Sequence, residues 1–413
     1  MSASDHATPR SSWGAFRHRG FAFYWVARLF ANFSVNIVSV AVGWQVYDLT
    51  KNPLDLGIIG LVQFLPALAL VLVTGSVADR YNRRVIMAIC MVGEALCMAG
   101  LLAFTISGSS NVNIVFAVLL GFGVARAFLG PASGSLAPNL VPPEELGNAI
   151  AWNSSAWQIA TIVGPVAGGL LYGLAPQAPY LVALSMIAIG VVLVVLMPHT
   201  VQNTSAAKAS WETVIAGFRY VWKEKIVLGA ISLDLFAVLL GGANALLPIY
   251  ARDVLAVGPW GLGLLRAAPA VGAISVAAWL AFHPVRDHAG IILFVFVALF
   301  GAFTVVFGLS TVTWISVVAL AMMGATDMVS VYIRETLIQL WTPDAVRGRV
   351  NAVNMVFIGA SNELGEFRAG VSAALIGAVT AVVVGGAGTM AIALIWARLF
   401  PELRRARRLD GRR

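Results

Sequence analysis

The sequence predicts an all-α membrane protein in which twelve transmembrane helices form two pseudo-symmetric six-helix bundles. Three observations lead there. Of 413 residues, 59% are hydrophobic and only 11% charged, where a soluble chain carries about a quarter charged. Apolar runs long enough to cross a bilayer core at about 1.5 Å per residue recur along the chain. Finally, a shift of 201 positions pairs Gly123 with Gly324, Pro142 with Pro343, Gly147 with Gly348, Ala151 with Ala352, Asn153 with Asn354, Gly164 with Gly365 and Gly169 with Gly370. These matches fall in order through equivalent runs, as a duplicated six-span unit requires.

Taken in order, residues 1–20 form a polar N-terminal tail with Arg10, Arg17 and Arg19. The run after it is too long for a signal-peptide core, so no cleaved signal is expected. The first bundle, 21–197, holds runs at about 21–47, 54–77, 85–107, 113–133, 148–173 and 179–197. Cys90 and Cys97 sit among apolar neighbours of the third run, the setting of small buried residues rather than of a disulfide or metal site. Residues 198–226 are the longest polar stretch and link the halves. Trp211, Val214, Ile215, Phe218, Val221 and Trp222 recur there at helical spacing, which predicts an amphipathic helix on the membrane surface. The second bundle, 227–399, holds runs at about 227–250, 258–282, 289–310, 312–338, 349–373 and 376–399, and a basic tail, 400–413, follows.

Charge sets the expected orientation. Of 27 lysines and arginines, 20 fall in alternate loops and the two ends: Arg10, Arg17, Arg19, Arg80, Arg83, Arg84, Lys208, Arg219, Lys223, Lys225, Arg286, Arg347, Arg349 and the seven arginines from Arg398 onward. The opposite loops hold Lys51 and Arg252. By the positive-inside rule both ends face the cytoplasm of a bacterial inner membrane, and the tail RRARRLDGRR suits anionic headgroups rather than nucleic acid. No HExxH, GxSxG, phosphate-binding glycine loop or Cys/His cluster is present, which argues against an enzyme, a metal site or a cofactor.

The stretch GSVADRYNRR, Gly75 to Arg84, lies between the second and third runs. It resembles the signature loop of the major facilitator superfamily, GxLADRxGRR, with Val77 for Leu and Asn82 for the second Gly, a residue tolerant of a left-handed turn. The resemblance implies the major facilitator fold and a cytoplasmic latch. Arg80, Arg83 and Arg84 anchor the loop, while Asp79 offers its carboxylate to the positive end of the eleventh helix near Arg347, Gly348 and Arg349. A purely topological anchor is the other reading. FHPVRDHAG, the equivalent loop of the second half, keeps little of the pattern, so one latch is expected.

Arg126 and Gly130 match the RxxxG element tied in the family to proton-linked transport. Gly164, Pro165, Gly168 and Gly169 match the GPxxGG element of proton-exchanging exporters, although close helix packing also explains them. FYWVARLFANFS, GFRYVW, LLPIYARDVL and TPDAVRGRVNAVN look like the branch that includes the enterobactin exporter and macrolide efflux proteins.

A charge in the hydrocarbon core costs about 2.5–3.5 kcal/mol on insertion scales, so each needs a partner or a role. Asp327 and Glu363 lie near the midplane. Arg28, Asp234, Arg334 and Glu335 lie nearer the cytoplasmic ends, where side chains can snorkel. The repeat shift pairs Arg126 with Asp327, so both are expected to face one aqueous pathway from opposite halves, with Asp327 the first choice of titrating group. Glu363, Glu366 and Arg368 are the second choice, or an ion-paired cluster fixing helix register. For Glu94 a helix-contact hydrogen bond is expected. Arg28, Asn32, Asn36, Gln45, Asn153, Trp157, Asp234 and Asn244 are candidate substrate contacts, each equally suited to packing.

The implied function is a monomeric multidrug or siderophore exporter, a proton antiporter moving a small amphiphilic molecule with the lipid bilayer and protons as partners. Uptake, lipid flipping and a non-transporting receptor or scaffold are the alternatives.

Overall fold

A computed structural model describes residues 13–198, 218–285 and 287–406. The described residues contain no strand. The transmembrane frame begins with α1 (Arg19–Thr50), α2 (Pro53–Arg80), α3 (Arg83–Ser107), α4 (Val112–Leu136), α5 (Leu146–Leu174) and α6 (Ala178–Leu196). It continues with α7 (Lys225–Gly241), α8 (Gly258–Phe282), α9 (Ala289–Leu309), α10 (Thr313–Trp341), α11 (Asp344–Ile376) and α12 (Ala378–Leu399).

Among the described residues eleven of these are long and apolar enough to cross a membrane. The exception is α11. Its 33 residues include Asp344, Arg347, Arg349, Glu363, Glu366 and Arg368, so it has the length of a span without the uniform apolar character. The apolar run expected at 349–373 is therefore corrected to a long, charged helix. In lipid such a helix survives by facing protein or a wet cavity. The seventh span is also irregular: α7 stops at Gly241, and the chain resumes through a 3-10 turn at Asn244–Leu246 and ends in a π turn at Tyr250–Val254.

Local chemistry fixes the helix ends. Asn52 accepts a hydrogen bond from the Leu54 amide just before Pro53 opens α2. Asn82 does the same for α3, accepting from the amides of Arg84 and Val85. Its backbone is extended (φ −63°), so the left-handed turn expected there is corrected: Asn stands at this position as an N-cap. Gly108, at φ +65°, closes α3 in a conformation that glycine adopts without strain.

In the first half α1 packs on α5 and α6, α2 on α4, and α3 on α4 and α6. In the second, α7 packs on α11 and α12, α8 on α10, and α9 on α10 and α12. Two crossings join the halves, α5 on α8 and α2 on α11. The repeat is visible in atoms: a Cβ on Gly123 would lie 2.5 Å from the Gln63 carbonyl of α2, and one on Gly324 1.9 Å from the Pro269 carbonyl of α8. Each glycine lets its helix pass directly over the backbone of its neighbour.

A buried apolar cluster around Phe21, Tyr24, Met87, Met91 and Ile187 fills the first half. Another is shared between halves, where Val40, Trp44, Tyr47 and Leu56 meet Leu246, Tyr250, Leu262 and Phe307. The linker residues 199–217, with Lys208, Trp211, Val214 and Ile215, lie outside the described residues, as do the N-terminal residues 1–12, Arg286 and 407–413 of the basic tail. A helical turn at 218–223 docks on the second half: Phe218 stacks on Phe357 at 5.9 Å, and the Tyr220 hydroxyl donates to the Trp341 carbonyl at 3.2 Å.

Candidate functional site

The two halves meet at the end of the molecule that carries Lys51. There Gly57 of α2 faces Phe367 and Gly370 of α11, with a Cβ on Gly57 only 3.0 Å from the Phe367 carbonyl. Gly169 of α5 faces Pro259 and Gly263 of α8, where a Cβ would stand 2.4 Å from the Pro259 carbonyl. Polar contacts close the rim. Arg252 pairs with Asp48 and lies over the Trp44 ring, Lys51 bonds Asp48 at 2.8 Å, and the Tyr47 hydroxyl donates to Asp253. These contacts close the two halves on one another at the Lys51 end.

Between them lies a cavity of about 620 Å³, within the usual size of small-molecule sites. Its walls come from both halves. Arg126 on α4 and Asp327 on α10 both line it, together with Glu363 and Glu366 on α11 and Arg266 on α8. Asn36, Gln63, Trp157, Gln158 and Asn244 add amides and an indole, and Phe122 adds an aromatic face. Glu363 and Glu366 converge above Gly60 of α2: a Cβ there would come within 2.9 Å of one Oε2 and 3.3 Å of the other. Asp327 also borders a small void beside Asp234.

The remaining candidates sit elsewhere. Gln45 is turned into the first bundle, where it bonds Thr105 and accepts from the Tyr180 hydroxyl at 2.6 Å. Arg28 donates to Ser133 Oγ at 2.7 Å, tying α1 to α4. The Asn32 carbonyl accepts from the Asn36 amide at 2.9 Å, and Asn153 Oδ1 is buried without a partner. Asp234 and Arg334, expected to snorkel, instead form an ion pair with side chains 10% and 4% exposed. This is a correction: α7 and α10 bring the two charges together before either reaches water. Arg368 is turned to the carbonyls of Leu239 and Leu240, 2.7 and 2.6 Å away, and so caps α7 where that helix breaks.

Glu94 is fully buried in the first bundle and neither carboxylate oxygen has a hydrogen-bond partner, so the expected helix-contact hydrogen bond is not formed. The cavity residue that sequence reasoning passed over is Arg266. Its signal was a lone arginine between apolar neighbours, and its partner Ser39 is 227 positions away.

The loop residues of the candidate latch engage their own half. Asp79 pairs with Arg83 at 4.0 Å, Arg83 also donates to the Ala78 and Ser135 carbonyls, and Arg84 reaches the Val194 carbonyl at 2.9 Å. Arg347 donates to the Thr342 carbonyl at 3.1 Å beside the start of α11. In the GPxxGG stretch, Gly164 and Gly168 pack α5 on Asn36 and Ile37 of α1, while Gly169 packs it on α8 across the seam. One element thus serves two interfaces.

Comparison with known proteins agrees with this architecture. The model of the transmembrane secretion effector family matches residues 10–410. The enterobactin exporter EntS of Citrobacter koseri is 24% identical over 411 residues, covering 94% of each chain. The enterobactin exporter EntS of Escherichia coli O1:K1 is 24% identical over 406 residues, again covering 94% of each. Among solved structures, a bacterial homologue of the human lysosomal transporter Spinster, inward-facing and unoccupied, superposes with a TM-score of 0.72 at 13% identity, covering 94% of this chain and 98% of that one. A POT family transporter in complex with 5-aminolevulinic acid gives a TM-score of 0.74 at 11% identity, with 93% and 96% covered. A span-length helical frame in two matched halves, a cavity with charged walls between them and a family match over nearly the whole chain have one reading: the protein belongs to the transmembrane secretion effector family of major facilitator transporters.

Proposed function

We propose that the protein is a proton-driven exporter of the bacterial inner membrane, with both chain ends in the cytoplasm, that carries a small amphiphilic molecule of siderophore or drug-like size outward by alternating access. The observation that carries this reading is the cavity of about 620 Å³ holding Arg126, Asp327, Glu363 and Glu366 on facing walls from both halves. Ionisable groups held inside a membrane-spanning bundle are costly unless they bind something that moves. Amides and aromatic faces beside them suit a cargo that is partly polar and partly apolar. The name of the relatives, enterobactin exporter, supports outward movement and the size of the cargo.

With the Asp79 end toward the cytoplasm, the described arrangement is open inward and receives cargo. A proton taken from outside neutralises a cavity carboxylate, cargo leaves, and the halves rock back. In the opposite state Asp79 meets the positive end of α11 and closes the inner end. Arg80, Arg83, Arg84, Arg347 and Arg349 hold the loops that meet there. The protein acts as a monomer within the bilayer.

Reconstituted protein tests this directly. Efflux of a fluorescent amphiphile or of a catechol siderophore from proteoliposomes should accelerate when an inward proton gradient is imposed. Asp327→Asn should still bind cargo, seen as retained quenching, and lose the gradient response. Transport indifferent to the gradient in the unmodified protein would refute the coupling.

A further inference from the structure

One guanidinium crosses the seam inside the cavity. Arg266 belongs to α8 in the second half, yet its Nη1 donates to Ser39 Oγ of α1 in the first. Its Nη2 lies against Gly43 of the same helix, where a Cβ would come within 3.3 Å. Arg266 Nε is buried and has no hydrogen-bond partner, so the group is held on one face by Ser39 while the other is open to a charge. Glu366 is a carboxylate lining the same cavity.

Glu366 does not stand alone. Glu363, nearly one turn earlier on α11, meets it above Gly60, and Arg126 of the first half lines the same cavity. Arg266, Glu366, Glu363 and Arg126 thus line one cavity between the halves, with the two carboxylates together over Gly60.

Other polar groups stand around α11. α2 contributes the Gln63 amide to the cavity, and its acids Asp55 and Asp79 lie toward its ends. On α7, Asp234 is taken by Arg334, and Lys225 pairs with Glu402 at 3.6 Å. Arg368 of α11 itself is occupied by the Leu239 and Leu240 carbonyls. On α10, Asp327 lines the same cavity and also borders the void beside Asp234. The only basic residue of α12, Arg398, is in its last turn.

We propose that Arg266 is a positioning residue: a strut that pins α8 to α1 while the Glu363–Glu366 pair is ionised and lets go when that pair takes up a proton. The proposal rests on the proton-linked reading above and adds the part that converts proton binding into movement. With both carboxylates charged, Arg266 is attracted by Glu366 on one side and bonded to Ser39 on the other, and the Lys51 end stays shut. Two carboxylates converging on one spot repel, and a proton shared between their oxygens removes that repulsion. It also lowers the charge that holds the guanidinium. Arg266 can then leave Ser39, and α1 and α8 part. The empty, ionised transporter is thereby kept from opening outward, as exchange without leak requires.

The test is solvent access to the closed end in the full-length protein. Leu56, 3% exposed and lining the cavity at this end, is replaced by cysteine in a chain whose Cys90 and Cys97 are alanine. A membrane-impermeant maleimide is then added outside right-side-out vesicles. Labelling should be slow at neutral pH and faster in mild acid by roughly fivefold or more, the scale of ordinary coupling energies. Arg266→Gln should label fast at both pH values, and Glu363→Gln with Glu366→Gln should match it. Arg266→Lys keeps the charge but cannot hold Ser39 and Glu366 at once, so it should retain part of the pH response. Ser39→Ala, which removes the acceptor and strands no buried charge, should raise labelling at neutral pH even if Arg266→Gln fails to assemble.

Transport driven by a proton gradient in the unmodified chain, with both Arg266→Gln and Ser39→Ala labelled as slowly as that chain, overturns the strut alone. A parent chain whose transport and labelling both ignore pH overturns the proton-linked reading and the strut with it.

Discussion

Replacing Gly169 with alanine should shift the balance between the two states of the transporter, whereas the same change at Gly168 should only weaken the protein. The difference lies in what each Cβ would meet. At Gly169 it would stand 2.4 Å from the Pro259 carbonyl, 3.1 Å from the Gly263 amide nitrogen and 3.1 Å from the Trp260 Cα, all backbone of α8 in the other half. At Gly168 it would stand 2.7 Å from the carbonyl of Ile37, in α1 of the same half. The first contact falls about 1 Å short of an ordinary van der Waals separation, and helix backbone has no rotamer with which to yield. Overpacking of this kind costs about 1–3 kcal/mol. For Gly168 the cost falls on both states alike, because α1 and α5 move together, and should appear as a lower unfolding temperature. For Gly169 it falls only on the state in which α5 and α8 touch, so the closed-to-open ratio at the Lys51 end should drop by roughly 5- to 150-fold. Electron–electron spin distances between labels on Leu174 and Leu375, exposed at that end on opposite halves, read the ratio directly. A longer-distance population should grow in Gly169→Ala and not in Gly168→Ala. Identical distance distributions for the two variants would refute the assignment of Gly169 to the moving seam.

Three further outcomes follow from the charged groups. Asp234→Asn leaves Arg334 buried without its counter-ion, a loss of about 3–5 kcal/mol, so the variant should show a much lower detergent melting temperature, partly restored when Arg334→Met is added. Glu94→Met removes a carboxylate whose two oxygens are unpaired; an unsatisfied buried polar group costs about 1–3 kcal/mol, so this variant should melt higher, and loss of transport in the more stable protein would assign Glu94 a role beyond packing. Asp48→Asn disrupts a rim pair whose side chains are 44% and 31% exposed. Water and salt screen such a pair to less than about 1 kcal/mol, so outer-end labelling should change only slightly and less still at high ionic strength.

The sequence carried the frame and the facing charges because both are written in spacing. Gly123 and Gly324 each lie over a neighbour's backbone, and Arg126 and Asp327, paired by the same shift, line one cavity. Gln45 was misdirected although the spacing held its signal: nine residues beyond Asn36, it falls on the opposite face of α1, about 180° away at 100° per residue. A helical wheel is enough to separate the two. Asp234, Arg334 and Arg266 were less accessible. Each reads as an isolated charge in an apolar run, and the partner that satisfies it sits on another helix at a distance no local pattern encodes. The grip of Arg266 on Ser39 spans 227 positions and joins different halves.

The seam and the charges obey different symmetries, and this bears on mechanism. The two crossings are matched: Gly169 on α5 meets Gly263 on α8, and Gly370 on α11 meets Gly57 on α2. In lipid, helices gain little from hiding apolar surface from one another, so close backbone contact is what holds such a seam, and matched glycines let it close and reopen in register. The ionisable groups break the match. The repeat shift carries Glu363 and Glu366 onto Ile162 and Pro165 of α5, and Arg266 onto Leu65 of α2, all of them uncharged. A symmetric seam alone would rock without preference. Cavity acids confined to one half give the rocking something to respond to, and the missing side chain at Gly60 leaves room for two of them.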